Sequence, residues 1–281
     1  MSKARKQKIV FALLALSALA VIVPVVAVIY FLIARGAPAI TWTFLTQMPR
    51  HAMREGGILP ALAGTACLMI GTVIFAVPVG VCAAIYLTEY AGKNAFTRVV
   101  RLAIVNLAGV PSIVYGLFGF GLFVLFLHFG KCILSGSLTL ALMVLPVVIT
   151  ASEEALLTVP KSFRDASLGL GATKWQTIWR VVLPNSAAGI LTGVILGVGR
   201  AIGETAPIMF TAAAFYRPML PRSAFDECMA LPYQLYVMAT EMFNPNPKMV
   251  WGTALVLLML VLGMSLVAAV IRNRFRRRRA W

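Results

Sequence analysis

Six apolar runs, each long enough to cross a lipid bilayer, dominate the sequence. They lie at about residues 9–33, 60–87, 100–128, 137–157, 186–214 and 249–271. A transmembrane helix needs about 20 apolar residues to cross a hydrocarbon core of about 30 Å. The chain is 60% hydrophobic and 12% charged, whereas a soluble domain is about half apolar and a quarter charged. A soluble fold is therefore excluded, and we predict an all-α integral membrane protein with six transmembrane helices.

The net charge of +16 has two interpretations, a nucleic-acid partner or a signal for membrane topology. The basic residues cluster in the two tails and in short loops beside the apolar runs, which favours topology. With both termini in the cytoplasm, 17 of the 25 Lys and Arg residues fall on the cytoplasmic side and seven on the outer side. We therefore predict that both termini lie inside and that no nucleic acid is bound.

Two segments between the runs are too long to be simple connectors. Residues 35–57 contain Trp42 among polar residues, which is typical of a segment at the membrane interface. Residues 215–248 carry apolar side chains at helical spacing, which predicts a short amphipathic helix. These side chains are Leu231, Leu235, Met238 and Met242. We expect both segments to pack against the spans, and a contact with a partner on the outer face is the alternative.

The cysteines and histidines form no metal-binding or catalytic pattern. The four cysteines show no C-x-x-C pair and no partner at metal-ligand spacing. Cys132 and Cys228 are both predicted outside, where a disulfide can persist if the compartment is oxidising. The two histidines, His51 and His128, are also predicted outside and lie far in sequence from Glu204. Surface positions are the simpler interpretation for them.

The third run combines glycines with a central proline. Pro111 cannot donate an intrahelical hydrogen bond, and the glycines let a helix kink or a neighbour approach closely. One interpretation is tight helix packing. The other is that the turn containing Pro111, Ser112 and Tyr115 lines a pathway through the membrane.

The loop between the fourth and fifth runs carries a spaced motif. Its sequence is VPKSFRDASLGLGATKWQTIWRVVLP. The tripeptide Asp165-Ala166-Ser167 is followed after three residues by Gly171, and after nine more by a V-V-L-P stretch that ends in Leu183-Pro184. The segment is either an ordinary surface loop or a surface that another protein recognises, and we favour the second interpretation.

A helix in this loop would suit such recognition. We expect it to cover about residues 165–170, to end at Gly171 as a C-cap, and to stand out from the membrane. The small side chains of Ala166 and Ser167 would let it dock in a groove of another protein. Charges at the rim of that contact would come from Lys161, Arg164 and Asp165.

The sequence has no glycine-rich loop for nucleotide phosphates, since no G-x-x-x-x-G-K-[ST] pattern occurs in it. If transport is driven by ATP, a separate polypeptide binds the ATP and Mg²⁺, and this chain needs no cofactor and no catalytic residue of its own. The loop over about residues 158–184 is where that polypeptide would attach.

The fifth run contains a charged pair at bilayer depth. Arg200 and Glu204 are one helical turn apart, which places them on one face of a helix, and Thr205 follows directly. Charges at this depth are costly and are expected to face a protein interior or a polar cavity. Arginine offers a fork of donors that matches phosphate oxygens. The pair is either an internal salt bridge or part of an anion pathway.

Three stretches together resemble a known transporter family. The loop spacing is similar to the EAA loop of ABC importer membrane subunits, with Asp for Glu, Ser for the second Ala and Val for Ile. GRAIGETAP in the fifth run and PSIVYGLFGF in the third resemble the PstA family of phosphate ABC transporter permeases. The similarity extends over about residues 58–272, and the AP after GET favours PstA over its partner permease PstC.

This resemblance implies a type I ABC importer permease fold in a bacterial inner membrane. It also implies a heterodimer with PstC, two copies of a cytoplasmic ATPase, PstB, and an external phosphate-binding protein, PstS. The chain would divide into a basic tail, first helix and external segment (1–57), a permease core (58–272) and a basic cytoplasmic tail (273–281).

The expected site residues fall into two groups. The substrate pathway group is Ser112, Tyr115, Arg200, Glu204 and Thr205. The ATPase coupling group is Arg164, Asp165, Ala166, Ser167, Gly171, Leu183 and Pro184. Three alternatives remain open at this point: an ABC permease for another oxyanion such as sulfate, a membrane-embedded enzyme such as a phosphatase, and an ion-driven carrier without an ATPase.

Overall fold

The computed structural model describes residues 3–92 and 94–277, and most of this length is helical. The helices are α1 Lys3–Gly36, α2 Trp42–Thr46, α3 Leu59–Ile85, α4 Ala95–Ala108, α5 Ser112–Gly119, α6 Ile133–Leu157, α7 Lys161–Gly169, α8 Lys174–Thr177, α9 Leu183–Ile202, α10 Ala206–Thr211, α11 Leu231–Tyr236 and α12 Pro247–Arg277. Two short antiparallel strands, β1 Pro49–Arg50 and β2 Glu55–Gly56, form a hairpin between α2 and α3. π-helical turns extend three helices or join two of them. They are Tyr86–Tyr90 after α3, Phe120–Phe126 after α5, Ile178–Val182 between α8 and α9, and Val237–Glu241 after α11.

Five helices among the described residues are long and apolar enough to cross a membrane. They cover Val10–Ala39, Leu59–Tyr90, Ile133–Leu157, Lys174–Ile202 and Pro247–Arg274. A sixth crossing is formed by Ala95–Ala108 together with Ser112–Phe126 if this bent pair counts as one span. Counted in this way, the prediction of an all-α membrane protein with six transmembrane helices is confirmed.

The third predicted span is broken in the middle. α4 and the helix that starts with α5 meet at an angle of 104°. Pro111 has no backbone N–H, and its ring disfavours the helical conformation at Val110, so α4 ends at its C-cap Gly109 and α5 starts after Pro111. The prediction of one helix over residues 100–128 is therefore wrong, and the expected kink is a complete break.

The fifth predicted span, residues 186–214, is also wrong as a single helix. The spanning helix starts earlier, at Lys174, and ends at Ile202. The next two residues hydrogen-bond back over three positions at 3.2 Å each, which tightens the last turn. α10 then starts with Pro207 in its first turn, where no N–H donor is required. The chain between these two helices is where Glu204 lies.

α3, α6 and α9 form the centre of the membrane core and approach each other through small residues. A Cβ atom at Gly189 of α9 would lie 2.5 Å from the Ala155 Cβ of α6, and one at Gly193 would collide with Ala151. Such close approach provides van der Waals packing where the lipid is as apolar as the side chains. This contact between α6 and α9 is called the small-residue seam below.

The two long connecting segments pack against the spans, as the sequence predicts. Leu231 of α11 and Met238 of the π-helical turn that extends it are fully buried. The Leu231 N–H donates to Thr65 Oγ1 of α3 at 2.9 Å, which attaches the helix to the core. In the segment before α3, Phe44 is buried and Trp42 is exposed.

The four cysteines are free thiols. Cys132 and Cys228 are both buried, and the Ser135 N–H donates to the Cys132 sulfur at 3.4 Å. Burial raises the pKa of the Cys228 thiol to about 12. The expected possibility of a disulfide between these two residues is therefore not realised in the structure.

α1 lies outside the core. Its apolar side chains are exposed along the span that starts at Val10. It meets the rest of the chain near Gly36, which lies against Trp251 and Leu255 of α12. The first span is thus available to lipid or to another chain along most of its length.

Candidate functional site

Arg200 and Glu204 form an ion pair where α9 ends. Arg200 lies in the last turn of the helix, and Glu204 lies just beyond Ile202, where the helix stops. Arg200 Nε is 3.4 Å from Glu204 Oε1. The two residues are thus paired, but they do not share a helical face as the sequence predicts, because the helix is broken between them.

The two charges differ in exposure. The Arg200 side chain is 49% exposed, whereas that of Glu204 is 16% exposed. Among the contacts of the described residues, the guanidinium makes one hydrogen bond, from Nε to the Glu204 carboxylate. Arginine carries four further N–H donors on its terminal nitrogens. Within the described residues these four donors make no hydrogen bond, so they can bind an oxyanion in bidentate fashion.

Glu204 also borders a small cavity inside the protein. The cavity has a volume of about 10 Å³, which is enough for about one water molecule. Thr65, Leu68 and Met69 of α3 form one wall, and Leu140 of α6 forms another. The carboxylate is therefore enclosed by apolar helices while its partner reaches the surface.

The broken third span brings Tyr115 to the same place. A Cβ atom at the adjacent Gly116 would lie 3.0 Å from the Ala206 carbonyl oxygen at the start of α10, so α5 packs directly on the chain that follows Glu204. Tyr115 is buried, and its hydroxyl donates to the Leu107 carbonyl at 2.8 Å across the bend. Arg200 is close enough for its charge to act on the Tyr115 phenol.

Of the five expected pathway residues, Arg200, Glu204 and Thr205 lie where α9 ends and α10 begins, Tyr115 lies on α5, which packs against α10, and Ser112 lies at the start of α5. Thr205 is the N-cap residue of α10 and is half-buried beside Glu204. Ser112 is half-buried in the first turn of α5, one turn before Tyr115. The breaks at Pro111 and Gly203 place non-helical backbone at bilayer depth, which membrane proteins tolerate where it lines a cavity or is buried in protein.

The loop predicted to contact another protein forms the short helix α7. The helix starts at Lys161, four residues earlier than expected, because Pro160 with its fixed φ of −58° suits a helix start. It is exposed along most of its length, Asp165 and Ala166 included, and Leu170 at its end is 90% exposed. A helix with so much uncovered surface and an exposed apolar end is suited to docking.

Gly171 ends this helix as predicted, one residue beyond the C-cap Leu170. Its φ is +84°, which favours glycine. The Gly171 N–H bonds to the Leu168 carbonyl at 2.9 Å and the Ala172 N–H to the Ser167 carbonyl at 3.2 Å, the two bonds of a Schellman motif. The Ser167 hydroxyl lies 2.9 Å from Thr177 Oγ1, so α7 is folded back onto the next helix.

Arg164 does not occupy the expected position at the rim of the exposed surface. Its guanidinium lies 2.8 Å from the Glu89 carboxylate and donates to the carbonyls of Val159 at 2.6 Å and Leu156 at 2.9 Å. The side chain is 18% exposed and that of Glu89 is 10% exposed. Because its donors are directed inward, Arg164 holds α7 against the ends of α3 and α6.

The end of the spaced motif joins the loop to the membrane span. Leu183 is half-buried against the core, and Pro184 is exposed in the first turn of α9. Pro184 cannot donate a hydrogen bond to the preceding turn, and the π-helical turn Ile178–Val182 lies directly before it. The motif residues thus occupy one continuous path from α7 into α9.

Sequence analysis missed two ion pairs on this side of the protein. One is Glu89 with Arg164, and the other joins Arg101 of α4 to Glu153 of α6 at 2.7 Å. Arg101 also donates to the Leu87 carbonyl at 2.8 Å. Glu89 follows the second apolar run and is 75 residues from Arg164, so no local pattern in the sequence points to the pairing.

Comparison with known proteins identifies the family. Residues 76–280 match the family described as "Binding-protein-dependent transport system inner membrane component". The chain belongs to this family. Its sequence is also 40% identical over 264 residues to the phosphate transport system permease protein PstA of Mycobacterium leprae. The aligned region covers 91% of this chain and 85% of that protein. The family resemblance predicted from the loop and from the two membrane motifs is thereby confirmed.

Solved structures show the permease fold. The structure of the MetNI methionine ABC transporter in inward-facing conformations matches with a TM-score of 0.63 and 15% identity, over 78% of this permease and 95% of that chain. A bacterial ABC transporter involved in the import of the acidic polysaccharide alginate matches with a TM-score of 0.57 and 14% identity, over 97% and 99% of the two chains. The protein therefore has the type I ABC importer permease fold.

Proposed function

We propose that the protein is the membrane-spanning permease subunit of an ATP-driven importer of inorganic phosphate. The observation that carries this proposal is Arg200, whose terminal N–H donors are open at the break between α9 and α10. A guanidinium suits a phosphate because its planar fork donates two parallel hydrogen bonds to two oxygens. The 40% identity to a phosphate permease over most of both chains supports the same substrate.

A second permease subunit of the PstC type would complete the pathway. The Arg200 side chain is 49% exposed on the single chain, and a charge at bilayer depth has to face protein or water rather than lipid. A partner packed against this open side would enclose the guanidinium in a polar path. This chain then supplies half of the pathway, lined by Ser112, Tyr115, Glu204 and Thr205.

The energy would come from a separate ATPase. Two copies of a PstB-type subunit would bind ATP and Mg²⁺, so that this chain holds no nucleotide and no cofactor. One copy would dock on α7, where Asp165 and Ala166 are exposed. Closure of the two ATPase subunits would displace α7 and alternate the access of Arg200 to the two sides of the membrane. An external phosphate-binding protein of the PstS type would deliver the substrate.

The setting we propose is a bacterial inner membrane with both termini in the cytoplasm. This topology agrees with the excess of Lys and Arg, 17 against seven, on the cytoplasmic side. It places α7 inside and α11 outside. The proposed organisation is the external segment within residues 1–57, the permease core over 58–272 and the basic tail over 273–281.

Reconstitution tests this function. The wild-type complex, purified with its co-eluting subunits and placed in liposomes, should take up radioactive phosphate only when ATP and Mg²⁺ are supplied on the ATPase side. An excess of sulfate of about tenfold should leave the uptake of phosphate unchanged, since we expect the site to discriminate between oxyanions by hydrogen bonding. Uptake of sulfate instead of phosphate would assign the other oxyanion, and uptake driven by an ion gradient without an ATPase would refute the proposal.

A further inference from the structure

α7 is connected to the ends of α3 and α6 through the side chain of Arg164. Within its own loop it packs on α8 and on the π-helical turn Ile178–Val182. Its polar connection to the ends of α3 and α6 is Arg164, which bonds the Glu89 carboxylate through both Nε, at 3.1 Å, and Nη2, at 2.8 Å. Two nitrogens on one carboxylate oxygen, together with the bonds to Leu156 and Val159, fix the direction of this side chain.

Glu89 lies on a helix that crosses the whole protein. α3 runs from Leu59 to Ile85 and continues through the π-helical turn to Tyr90, and Pro78 inside it does not interrupt this course. The Glu89 end lies beside α7. Toward the other end of the same helix, Thr65 and Met69 line the small cavity at Glu204. A displacement of α3 along its axis therefore reaches both places.

We infer that Glu89 and Arg164 form a latch that makes α3 move together with α7, so that α3 carries the movement of the coupling helix to the pathway. This inference rests on the proposed function, in which an ATPase displaces α7. In this role Glu89 is a positioning residue, because it acts on the substrate pathway only through α3. The latch joins two elements that are 75 residues apart in sequence.

The neighbouring ion pair provides a matched control. Glu153 of α6 lies 2.7 Å from Arg101 of α4, so it is also a carboxylate with an arginine partner at the same end of the spans. Neither residue lies on α7. Glu153→Ala therefore removes an ion pair of the same kind without removing the connection between α7 and α3.

The first measurement tests directly whether α3 and α7 move together. Spin labels are placed at Leu170, at the exposed end of α7, and at Tyr86, exposed near the end of α3, after the native cysteines are replaced by serine. In the assembled wild-type complex, ATP binding should leave the distance between the labels unchanged because the two helices move as one body. In Glu89→Ala the distance should shift by about 1–2 Å or more, or its distribution should broaden. Glu153→Ala should behave as wild type.

The second measurement compares transport with ATP hydrolysis. In Glu89→Ala we expect ATP hydrolysis within about twofold of wild type and phosphate uptake per ATP about tenfold lower, within the usual range of coupling between sites. Glu153→Ala should keep the wild-type ratio. If Glu89→Ala does not assemble, Glu89→Gln keeps the side-chain length and one oxygen acceptor and should lower the ratio in the same direction.

Different experimental outcomes would contradict the latch and the proposed function. A label distance that changes on ATP binding equally in wild type and Glu89→Ala would overturn the latch, as would an unchanged uptake-to-ATP ratio or an equal fall in Glu153→Ala. Failure of the wild-type complex to take up phosphate would instead contradict the proposed substrate. The distance measurement does not depend on which anion is transported, so it would still decide the latch in that case.

Discussion

Arg200 Nε contacts Glu204 Oε1 at 3.4 Å, and the arginine is the exposed partner while the glutamate is nearly enclosed. Glu204 borders the small cavity lined by α3 and α6, and the terminal nitrogens of Arg200 make no hydrogen bond within the described residues. In the proposed transporter, Arg200 attracts an anion. Glu204 reduces the net positive charge of the site, so that the bound anion can dissociate.

Single substitutions at Arg200 should lower phosphate uptake to different extents, according to whether they retain the charge and the planar fork of the side chain. Arg200→Lys keeps the charge but loses the planar fork, and Arg200→Gln loses both. We expect phosphate uptake to fall in the order wild type, Lys, Gln, with the loss of one charge-assisted hydrogen bond worth about 1.5–3 kcal/mol. Uptake in liposomes measures this, and co-elution of the other subunits serves as the assembly control. Equal uptake by the Lys and wild-type proteins would remove the requirement for the fork.

The double variant Arg200→Gln with Glu204→Gln separates a pathway role from a structural one. It removes both charges and keeps side chains of similar size, so no charge is left buried without its partner. We expect the complex to assemble and to transport no phosphate. Restored assembly together with restored uptake would show that the pair serves only to hold the break between α9 and α10.

Gly171→Val should weaken attachment of the ATPase and leave the protein in the membrane. The residue has a φ of +84°, where a β-branched side chain costs about 1–2 kcal/mol or more. Gly169→Val is the control, because Gly169 lies within α7 and a side chain there would also meet no neighbouring atom. The measurement is the amount of ATPase that co-purifies with each variant. Equal amounts for both would contradict the coupling assignment.

Gly193→Ala should destabilise the small-residue seam. The added methyl group would collide with Ala151, and overpacking of this kind costs about 1–3 kcal/mol. Ala151→Gly in the same chain should recover part of the loss, because it removes the colliding atom. Gly263→Ala on α12 meets no atom within 4 Å and should be neutral. Thermal unfolding in detergent gives the ranking, and a neutral Gly193→Ala would contradict the close packing of α6 against α9.

Cys228 should react slowly with thiol reagents near neutral pH. Its pKa of about 12 leaves about one thiolate in ten thousand at pH 8, and the thiolate is the reactive form. Since the pKa is raised, reactivity should increase as the pH rises toward 12. Unfolding removes the burial, so Cys228 should react quickly once the protein is denatured. Mass spectrometry of modified peptides would contradict this if Cys228 reacted as fast in the folded protein at about pH 8 as in the denatured protein.

Reporter fusions test the topology. Fusions after residues 45, 131 and 225 should all report the external side, because the basic residues are concentrated on the opposite side. A fusion after residue 172, just beyond α7, should report the cytoplasm. A cytoplasmic signal from any of the first three positions would overturn the inside placement of both termini.

The sequence predicted those features that depend on local chemistry. Apolar run length indicated the spans, because each helix must satisfy its own backbone hydrogen bonds in lipid. Gly171 was predictable as a helix end because the positive φ of such a position favours glycine. Leu231 and Met238 were predictable as buried residues because helical spacing places them on one face.

The features that could not be predicted depend on contacts between distant segments. Pro111 indicated a kink, but the 104° size of the bend and the break at Gly203 could not be read from the sequence, because hydropathy does not distinguish a continuous helix from two shorter ones. Arg164 belongs to a motif that indicates an exposed surface, yet its direction is decided by Glu89, 75 residues away. The gathering of Tyr115, Arg200 and Glu204 likewise depends on the packing of α5 against α10.

The exposure of Arg200 also affects how the subunit can be produced. A copy inserted before its partner arrives directs a guanidinium toward hydrocarbon, at a cost of about 2.5–3.5 kcal/mol on insertion scales. That copy is poorly suited to remain alone in the bilayer, so the yield of folded protein should rise when both halves are synthesised together. The side chain proposed to bind the substrate thus also makes a subunit without its partner less stable in the membrane.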